Sequence, residues 1–241
     1  MSKQRASKKR NMHYIANTIN FEEAAKQHRK TIELVPKSRG QESLVLSLIS
    51  KSPITVAVGP AGSGKTYLAM LAALKKFKSG KCDKIVLTRP AVEVDNEKHG
   101  FLPGDLNSKM EPWTKPLFDV IRLHYSAKDI AGMIEEQTIE IAPLAFMRGR
   151  TFNNAWIIAD EMQNATPAQI KMLLTRIGEN SKIVVTGDVE QTDRVTSNNG
   201  LLDLFARLNQ NPVGGIDLCE LTTKDIQRHQ IIDKILDLYK N

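Results

Sequence analysis

Short apolar runs alternate with longer amphipathic stretches along most of the chain. Four of these runs have a continuous apolar or β-branched centre, which predicts strands that are buried on both faces of a parallel sheet. They are ITVAV (54–58), DKIVLTRP (83–90), AWIIADE (155–161) and SKIVVTGD (181–188). Two weaker runs, TIEIAP (138–143) and GIDLCEL (215–221), predict further strands.

Helical patterns separate the predicted strands. They cover GQESLVLSLIS (40–50), TYLAMLAALKKF (66–77), NGLLDLFARLNQ (199–210) and KDIQRHQIIDKILDLYK (224–240). Thr166 is a predicted N-cap, and the helix after it starts at Pro167, since proline lacks the N–H group that would have no partner in a first turn. Residues 21–35 predict a short helix or an ordered extension, and residues 91–138 predict a loop followed by two helices.

The alternation of strands and helices predicts an α/β fold, with a mainly parallel sheet covered by helices on both faces. Ligands of such sheets bind at the carboxyl ends of the strands. We expect residues 1–20 to form a basic mobile tail. Residues 21–241 then form a single domain, with residues 91–138 as an insertion of loop and helices.

A glycine-rich loop, GPAGSGKT, follows the first predicted strand and matches the pattern G-x-x-x-x-G-K-[ST]. In such a loop, backbone N–H groups and a helix N-terminus bind phosphates, the lysine reaches the β- and γ-phosphates, and the hydroxyl binds Mg²⁺. The sequence therefore predicts the ATP and Mg²⁺ site of a P-loop NTPase, with Lys65 also catalytic and Thr66 also a metal ligand. The predicted nucleotide-binding residues of the loop are Gly59, Pro60, Ala61, Gly62, Ser63, Gly64, Lys65, Thr66 and Tyr67.

Polar residues follow two further predicted strands. Asp160 is predicted to hold Mg²⁺, directly or through water, and Glu161 to orient and deprotonate the attacking water. The alternative is a helix N-cap or an ordinary pair of loop carboxylates. Thr186 and Gln191 are the candidates for a neutral donor that senses the γ-phosphate, and the alternative here is a simple β-turn around Gly187.

The net charge of the 241-residue chain is +7, and the first ten residues carry +5 of it, which leaves +2 for the rest. The basic tail either contacts nucleic-acid phosphates or is a solvated terminus. The near-neutral remainder gives no argument from charge for nucleic-acid binding. No apolar run approaches the length of a membrane span, and Cys82 and Cys219 form no metal pattern, so we expect a cytoplasmic protein with no membrane partner.

Several motifs in combination resemble the PhoH family of P-loop ATPases. They are GPAGSGKTYLA (59–69), RPAV (89–92), GFLPGDL (100–106), APLAFMRGRTFNNAWIIADEMQN (142–164) and KMLLTRIGENSKIVVTGD (171–188). A DE-x-Q motif at Asp160–Gln163 and a GD-x-x-Q motif at Gly187–Gln191 also resemble the core of superfamily 1 helicases. The resemblance implies a RecA-like sheet, ATP hydrolysis, a ring-shaped homo-oligomer, expected to be a hexamer, and a link to RNA.

By the same resemblance, Gln41 would read adenine, because an amide can pair with both the N6 donor and the N7 acceptor of that base. The alternative is a solvated glutamine at the start of a helix. Four arginines are candidates for an arginine finger supplied by a neighbouring subunit, and the alternative for each is a surface salt bridge. These arginines are Arg148, Arg150, Arg176 and Arg228.

Single-stranded nucleic acid would cross the face formed by Thr88, Arg89 and residues 91–138, since superfamily 1 relatives use the segment after this strand to hold the backbone. Phe101 and Trp113 could stack on bases. For Trp113, which lies between two prolines, we favour the alternative that it is a packing anchor for its loop.

The leading functional hypothesis is a Mg²⁺-dependent ATPase that couples hydrolysis to the remodelling or unwinding of single-stranded nucleic acid, with RNA as the expected polymer. An alternative is a nucleotide-gated oligomeric switch or scaffold, in which slow hydrolysis only resets a ring. A small-molecule phosphotransferase is a third hypothesis. It is disfavoured because the paired carboxylates Asp160 and Glu161, together with Gln191, favour water as the acceptor.

Overall fold

The apolar runs assemble into one six-stranded sheet in which all neighbouring strands are parallel. The computed structural model describes residues 31–90, 106–191 and 199–227, with the backbone alone for residues 106–113. The strands are β1 (Ile54–Val58), β2 (Lys84–Thr88), β3 (Ile139–Ile141), β4 (Ala155–Ala159), β5 (Lys182–Gly187) and β6 (Ile216–Glu220). Their order across the sheet is β3-β2-β4-β5-β1-β6.

Helices cover both faces of the sheet. In the described part of the chain they are α1 (Arg39–Ile49), α2 (Lys65–Lys78), α3 (Leu106–Arg122), α4 (Ala127–Glu135), α5 (Pro167–Leu174) and α6 (Gly200–Gln210). Successive side chains of a strand point to opposite faces, so Ile158 packs in the core beneath α1 to α4, and Ile157 packs in the core beneath α5 and α6. The predicted α/β fold of the P-loop NTPase type is confirmed.

Between residues 40 and 221, the centres of the predicted elements that the structure describes are correct, and several of their ends differ. The prediction for β1 is exact in both bounds, but β4 ends at Ala159, so that Asp160 and Glu161 follow the strand rather than belong to it. Thr166 caps α5 as predicted, and its hydroxyl and the side chain of Gln169 form a reciprocal capping box. Among the described helices, none is long and apolar enough to cross a membrane.

The two helices predicted within residues 91–138 are present as α3 and α4, but Trp113 lies within α3 and therefore does not anchor a loop. Pro112 and Pro116 suggested a loop, since proline removes an amide donor from a helix. However, Leu117 and Ile121 are buried in the core, and packing of an apolar helix face can outweigh an unfavourable propensity. The side chain of Trp113 lies outside the described part of the structure, so base stacking and packing both remain predictions.

The predicted terminal helices differ where they can be compared. Residues 31–36 have no regular secondary structure, and the rest of the 21–35 segment is not described. Near the other end, Thr223–Asp225 forms a single 3₁₀ turn, and Ile226 is extended, with φ −64° and ψ 127°. The last helix therefore does not begin at Lys224. The basic tail, Phe101 and Arg228 lie outside the described residues.

Candidate functional site

A cavity of about 240 Å³ opens at the carboxyl ends of β1, β4 and β5. These three strands are neighbours, and their register brings the phosphate loop after β1 beside the ends of the other two. The cavity is lined by residues from the loop, from the end of β4 and from the turn after β5. They are Ala61, Gly62, Gly64, Lys65, Thr66, Tyr67, Asp160, Glu161, Gly187, Asp188 and Gln191.

The phosphate loop ends at the N-terminus of α2. Gly64 is the N-cap of this helix, with φ 86° in the left-handed region, and it supplies no side-chain cap. The first turn of α2 contains no acidic residue, so the partial positive charge of the helix N-terminus faces the cavity without a carboxylate from that turn. This arrangement suits an anion such as a phosphate group.

Lys65 is buried within the loop. Its ammonium donates hydrogen bonds to the carbonyl oxygens of Gly59 at 2.6 Å and Pro60 at 2.8 Å, and to the hydroxyl of Ser63 at 3.2 Å. Because these oxygens hold the ammonium beside the cavity, a phosphate bound there would compete with them for its protons. The lysine is therefore positioned by the loop itself.

Asp160 joins two elements of the site through one oxygen. The hydroxyls of Thr66 and Thr186 both donate to its Oδ1 atom, each at 2.6 Å. Its backbone N–H donates to the carbonyl of Thr88 at 3.0 Å, which fixes the position of the residue just beyond β4. The two predicted metal ligands, Thr66 and Asp160, thus lie together.

The oxygen atoms at this point suit Mg²⁺, which is usually bound by one or two carboxylates together with substrate phosphates and water. Thr186 is fully buried and does not line the cavity. Because its hydroxyl donates to Asp160, the geometry favours Gln191, which lines the cavity, over Thr186 as the γ-phosphate sensor. The sensor itself stays a prediction.

Glu161 redirects the chain at the end of β4. Its backbone has φ 54° and ψ 40°, a left-handed conformation that is uncommon for a residue other than glycine. The residue lines the cavity, and its side chain forms no capping hydrogen bond with the following 3₁₀ turn. The N-cap alternative is therefore not what the geometry shows, and the predicted role as a base stays open.

Gln163 connects Glu161 with the turn after β5. Its Nε2 atom donates to Glu161 Oε2 at 2.5 Å, and its Oε1 atom accepts from the backbone N–H of Asp188 at 3.1 Å. The sequence reasoning missed both contacts. The fourth position of the DE-x-Q motif was the only signal that could have indicated them.

Gln41 is buried against the phosphate loop. Its Nε2 atom donates to the carbonyl of Ser63 at 2.9 Å, and its Oε1 atom accepts from the backbone N–H of Lys37 at 2.8 Å. Only 4% of the residue is exposed, so the alternative of a solvated glutamine is wrong. Adenine recognition by this amide stays a prediction.

The segment after β6 ties α1 to the loop, a connection that sequence reasoning also missed. Asp225 accepts hydrogen bonds from the backbone N–H groups of Gly40 at 3.1 Å and Thr222 at 2.7 Å. Burial raises the pKa of Asp225, but the hydrogen bonds that it accepts outweigh burial and hold the pKa below its usual value. Two residues on, the N–H of Gln227 donates to the carbonyl of Gly62 at 2.9 Å.

Comparison with known proteins assigns the chain to a family. The model of the PhoH-like protein family matches residues 33–240. The chain belongs to the PhoH family. It is 42% identical to a PhoH-like protein of Synechocystis sp., over 86% of this chain and 63% of the relative.

Two other relatives support the same family. Identity to a PhoH-like protein of Bacillus subtilis is 40%, over 97% of this chain and 72% of that protein. Identity to Protein PhoH of Escherichia coli is 37%, over 89% of this chain and 60% of that protein. The chain therefore spans only 60% to 72% of the length of these three relatives.

Two of the candidate arginines of this PhoH-family chain make contacts away from the cavity. Arg150 forms a two-pronged ion pair with Glu140, at 2.5 and 3.0 Å, and its guanidinium lies 4.5 Å from the ring centre of Phe152. The hydrogen bond from Arg150 holds the pKa of Glu140 below its usual value. Arg176 donates to the backbone carbonyls of Met172 at 3.1 Å and Arg150 at 3.2 Å.

None of the three described candidates, Arg148, Arg150 and Arg176, lines the cavity of its own chain. Arg150 matches the salt-bridge alternative, and Arg148 is exposed. A finger supplied in trans by one of the four candidates stays a prediction, since Arg228 lies outside the described residues.

Proposed function

We propose that this PhoH-family chain is a Mg²⁺-dependent ATPase that couples hydrolysis to single-stranded nucleic acid, with RNA as the expected polymer. The observation that carries the ATPase is the hydrogen bond of 2.6 Å between Thr66 and Asp160. It brings the hydroxyl of the phosphate loop onto the carboxylate after β4, next to Lys65, in one cavity. These are the parts that P-loop NTPases use to hold phosphates and metal.

The loop would bind the triphosphate by its backbone N–H groups and the N-terminus of α2. Lys65 would move its ammonium from the loop carbonyls to the β- and γ-phosphates, a short distance because the loop already holds it beside the cavity. Thr66 and Asp160 would hold Mg²⁺, which neutralises charge on the phosphates when bound. Thr186 keeps Asp160 oriented through its own hydrogen bond to the same oxygen.

Glu161 is the proposed base for the attacking water. It lines the cavity one residue beyond Asp160, so its carboxylate lies next to the predicted phosphate and metal site. Gln191, from the turn after β5, lines the same cavity as a neutral donor. Water as the acceptor distinguishes this proposal from a small-molecule phosphotransferase.

The proposed nucleic-acid coupling rests on the family resemblance and on one contact. Thr88 ends β2, and its carbonyl accepts the N–H of Asp160 at 3.0 Å. The strand end that we expect to face nucleic acid is therefore bonded directly to the proposed metal-binding residue. A shift of Thr88 and Arg89 on polymer binding would reach Asp160 through that bond.

The oligomeric switch is the second candidate function, and it shares with the first the need for an arginine from a neighbouring subunit. In the described part of the chain, no arginine lines the cavity. Hydrolysis by a lone subunit would then be slow, since an arginine finger supplied in trans is worth on the order of 10³–10⁵ in rate. A ring of subunits, the proposed assembly, would supply a guanidinium from a neighbouring subunit.

The test is steady-state ATP hydrolysis by the wild type and by Lys65→Ala, with and without single-stranded RNA or DNA. Stimulation by RNA that the substitution abolishes would support the whole proposal. Lysine-dependent hydrolysis that ignores both polymers would remove the nucleic-acid coupling and favour the switch. Hydrolysis unaffected by Lys65→Ala would remove the proposed ATPase site.

A further inference from the structure

Gln163 occupies a buried position between the ends of two strands. It belongs to the 3₁₀ turn Met162–Asn164, which follows the left-handed Glu161, and only 4% of it is exposed. One end of its amide donates to the Glu161 carboxylate, and the other end accepts from the N–H of Asp188 in the turn after β5. The side chain therefore bridges the residue after β4 at Glu161 and the turn after β5 at Asp188.

The two partners require an amide at this position. A carboxylate needs a donor and a backbone N–H needs an acceptor, and an uncharged glutamine presents one of each on a short planar group. A glutamate would place a second negative charge against Glu161, and a methionine of similar length would offer neither contact. The contacts also assign the orientation of the amide, with Oε1 towards the backbone and Nε2 towards the carboxylate.

Gly187, the last residue of β5, leaves room for this bridge because it has no side chain. A Cβ atom at Gly187 would lie 2.6 Å from Gln163 Oε1 and 3.2 Å from the backbone nitrogen of the same residue. A side chain at position 187 would therefore displace the glutamine. The glycine of the GD-x-x-Q motif and the glutamine of the DE-x-Q motif form one packed unit.

We propose that Gln163 is a positioning residue for hydrolysis, which sets the direction of the Glu161 carboxylate from the backbone of the turn after β5. The proposal rests on the proposed function, in which Glu161 is the base. Asp188 and Gln191 of that turn line the cavity, and Gln163 is hydrogen-bonded to the turn at Asp188. A ligand that contacts the turn would therefore act on Glu161 through the amide of Gln163. Gln163 itself does not line the cavity and touches no substrate.

The first experiment measures kcat for ATP and equilibrium ATP affinity for the wild type, Gln163→Met, Glu161→Gln and the double variant. We expect Gln163→Met to lower kcat by about 10- to 100-fold, since misplacement of a catalytic group by about 1 Å has effects of this size. We expect ATP affinity to change less than about threefold. In the Glu161→Gln background, the same substitution should have no further effect on kcat, because it acts through that carboxylate.

Gln210→Met is the matched control, because Gln210 is an exposed residue at the end of α6. It should leave kcat unchanged. Equal and independent losses in the wild-type and Glu161→Gln backgrounds would overturn the proposal. If Glu161→Gln alone leaves hydrolysis intact, the proposed role of Glu161 fails first, so the two failures are distinguishable.

The second experiment uses Gln163→Glu, which keeps the size of the side chain. At neutral pH the new carboxylate repels Glu161 and cannot donate to it. We therefore expect Gln163→Glu to lower kcat at least as much as Gln163→Met, because it removes the donor and adds a negative charge beside the base. Melting temperatures separate this effect from unfolding, and a Gln163→Glu protein with the kcat of the wild type would overturn the proposal.

Discussion

The sheet carries an aspartate that accepts two hydroxyl hydrogen bonds at each of its two ends. At the carboxyl end, Asp160 accepts from Thr66 and Thr186. At the amino end, Asp217 accepts from Ser50 at 2.6 Å and Ser52 at 2.7 Å. The chemistry of the two carboxylates is nearly the same, but their surroundings differ.

Asp160 opens onto a cavity and lies beside the glycine-rich loop. Asp217 lies beside Lys182, whose ammonium donates to the carbonyls of Ser47 at 2.6 Å and Ser52 at 2.9 Å, near the C-terminus of α1. This amino-end cluster joins α1 to the sheet through contacts among its own residues. Of these two clusters, the one at Asp160 adjoins a cavity beside backbone donors that suit an anionic ligand, and the one at Asp217 does not line that cavity.

The largest effect should come from the proposed base. Glu161→Gln is expected to reduce ATP turnover by about 10²- to 10⁴-fold, the range typical of general acid–base catalysis, while ATP binding is retained. Phosphate release and equilibrium binding measure the two quantities. Glu179→Gln, at an exposed loop residue, is the control and should leave turnover unchanged. Parallel loss of binding and turnover in Glu161→Gln would count against its role as a base.

Matched substitutions of Asp160 and Asp217 test the difference between the two ends of the sheet. Asp160→Asn should reduce Mg²⁺-dependent hydrolysis by at least about 100-fold, beyond the 10- to 100-fold typical of groups that only support a metal ligand. Asp217→Asn should leave hydrolysis nearly unchanged and lower the free energy of unfolding by about 1 kcal/mol. Hydrolysis assays and urea unfolding check both variants. Equal effects of the two on hydrolysis would refute the distinction between the two ends.

Gly40 tests the connection between α1 and the segment after β6, which is its hydrogen bond to Asp225, and Gly132 is the control. A Cβ atom at Gly40 would lie 2.4 Å from a carboxylate oxygen of Asp225, so Gly40→Ala should lower the free energy of unfolding by about 2–3 kcal/mol. At Gly132, in α4, no atom lies within 4 Å of the added Cβ, and Gly132→Ala should raise stability by about 0.5–1 kcal/mol. Chemical unfolding of both variants is the measurement. An unchanged free energy of unfolding for Gly40→Ala would show that the contact between Gly40 and Asp225 can rearrange without loss of stability.

The smallest effect concerns the amino-end cluster and pH. Burial lowers the pKa of Lys182 to about 8, from a usual value of 10.5. Between pH 8 and pH 10.5 the unfolded chain binds more protons at this lysine, so its contribution to the free energy of unfolding rises with pH in that window.

Relative to Lys182→Met, the wild type should therefore gain about 1–2 kcal/mol between pH 8 and pH 10. Urea unfolding at several pH values measures this difference. Lys171→Met, at an exposed position of α5, is the control and should show a constant difference. A difference for Lys182→Met that is flat or falls with pH would contradict the assigned direction.

The sequence predicted those features that depend on neighbours along the chain. The apolar run of β1, the glycine loop and α2 are contiguous, so motif and periodicity were sufficient there. Asp160 was placed correctly because it directly follows a buried strand. Two helices within residues 91–138 were predicted correctly, but the assignment of Trp113 to a loop was wrong, because packing of α3 outweighed the local effect of two prolines.

Contacts between distant parts of the chain were not predictable in this way. Asp225 binds the N–H of Gly40 across 185 residues, and no local pattern indicates that approach. The bridge of Gln163 depends on the left-handed backbone of Glu161, which a strand-like pattern does not reveal. The partners of Arg150 and Arg176 likewise depend on where β3 and α5 pack.

The most direct test of the ATP site at the carboxyl end is calorimetric titration of ATP into the wild type and Lys65→Ala, in Mg²⁺ and in excess EDTA. We expect one site per chain in the wild type with Mg²⁺, and an affinity at least about tenfold weaker after either change, since a tenfold loss corresponds to about 1.4 kcal/mol of binding free energy. Binding of equal strength in all four conditions would contradict the assignment of this cavity to Mg²⁺ and ATP.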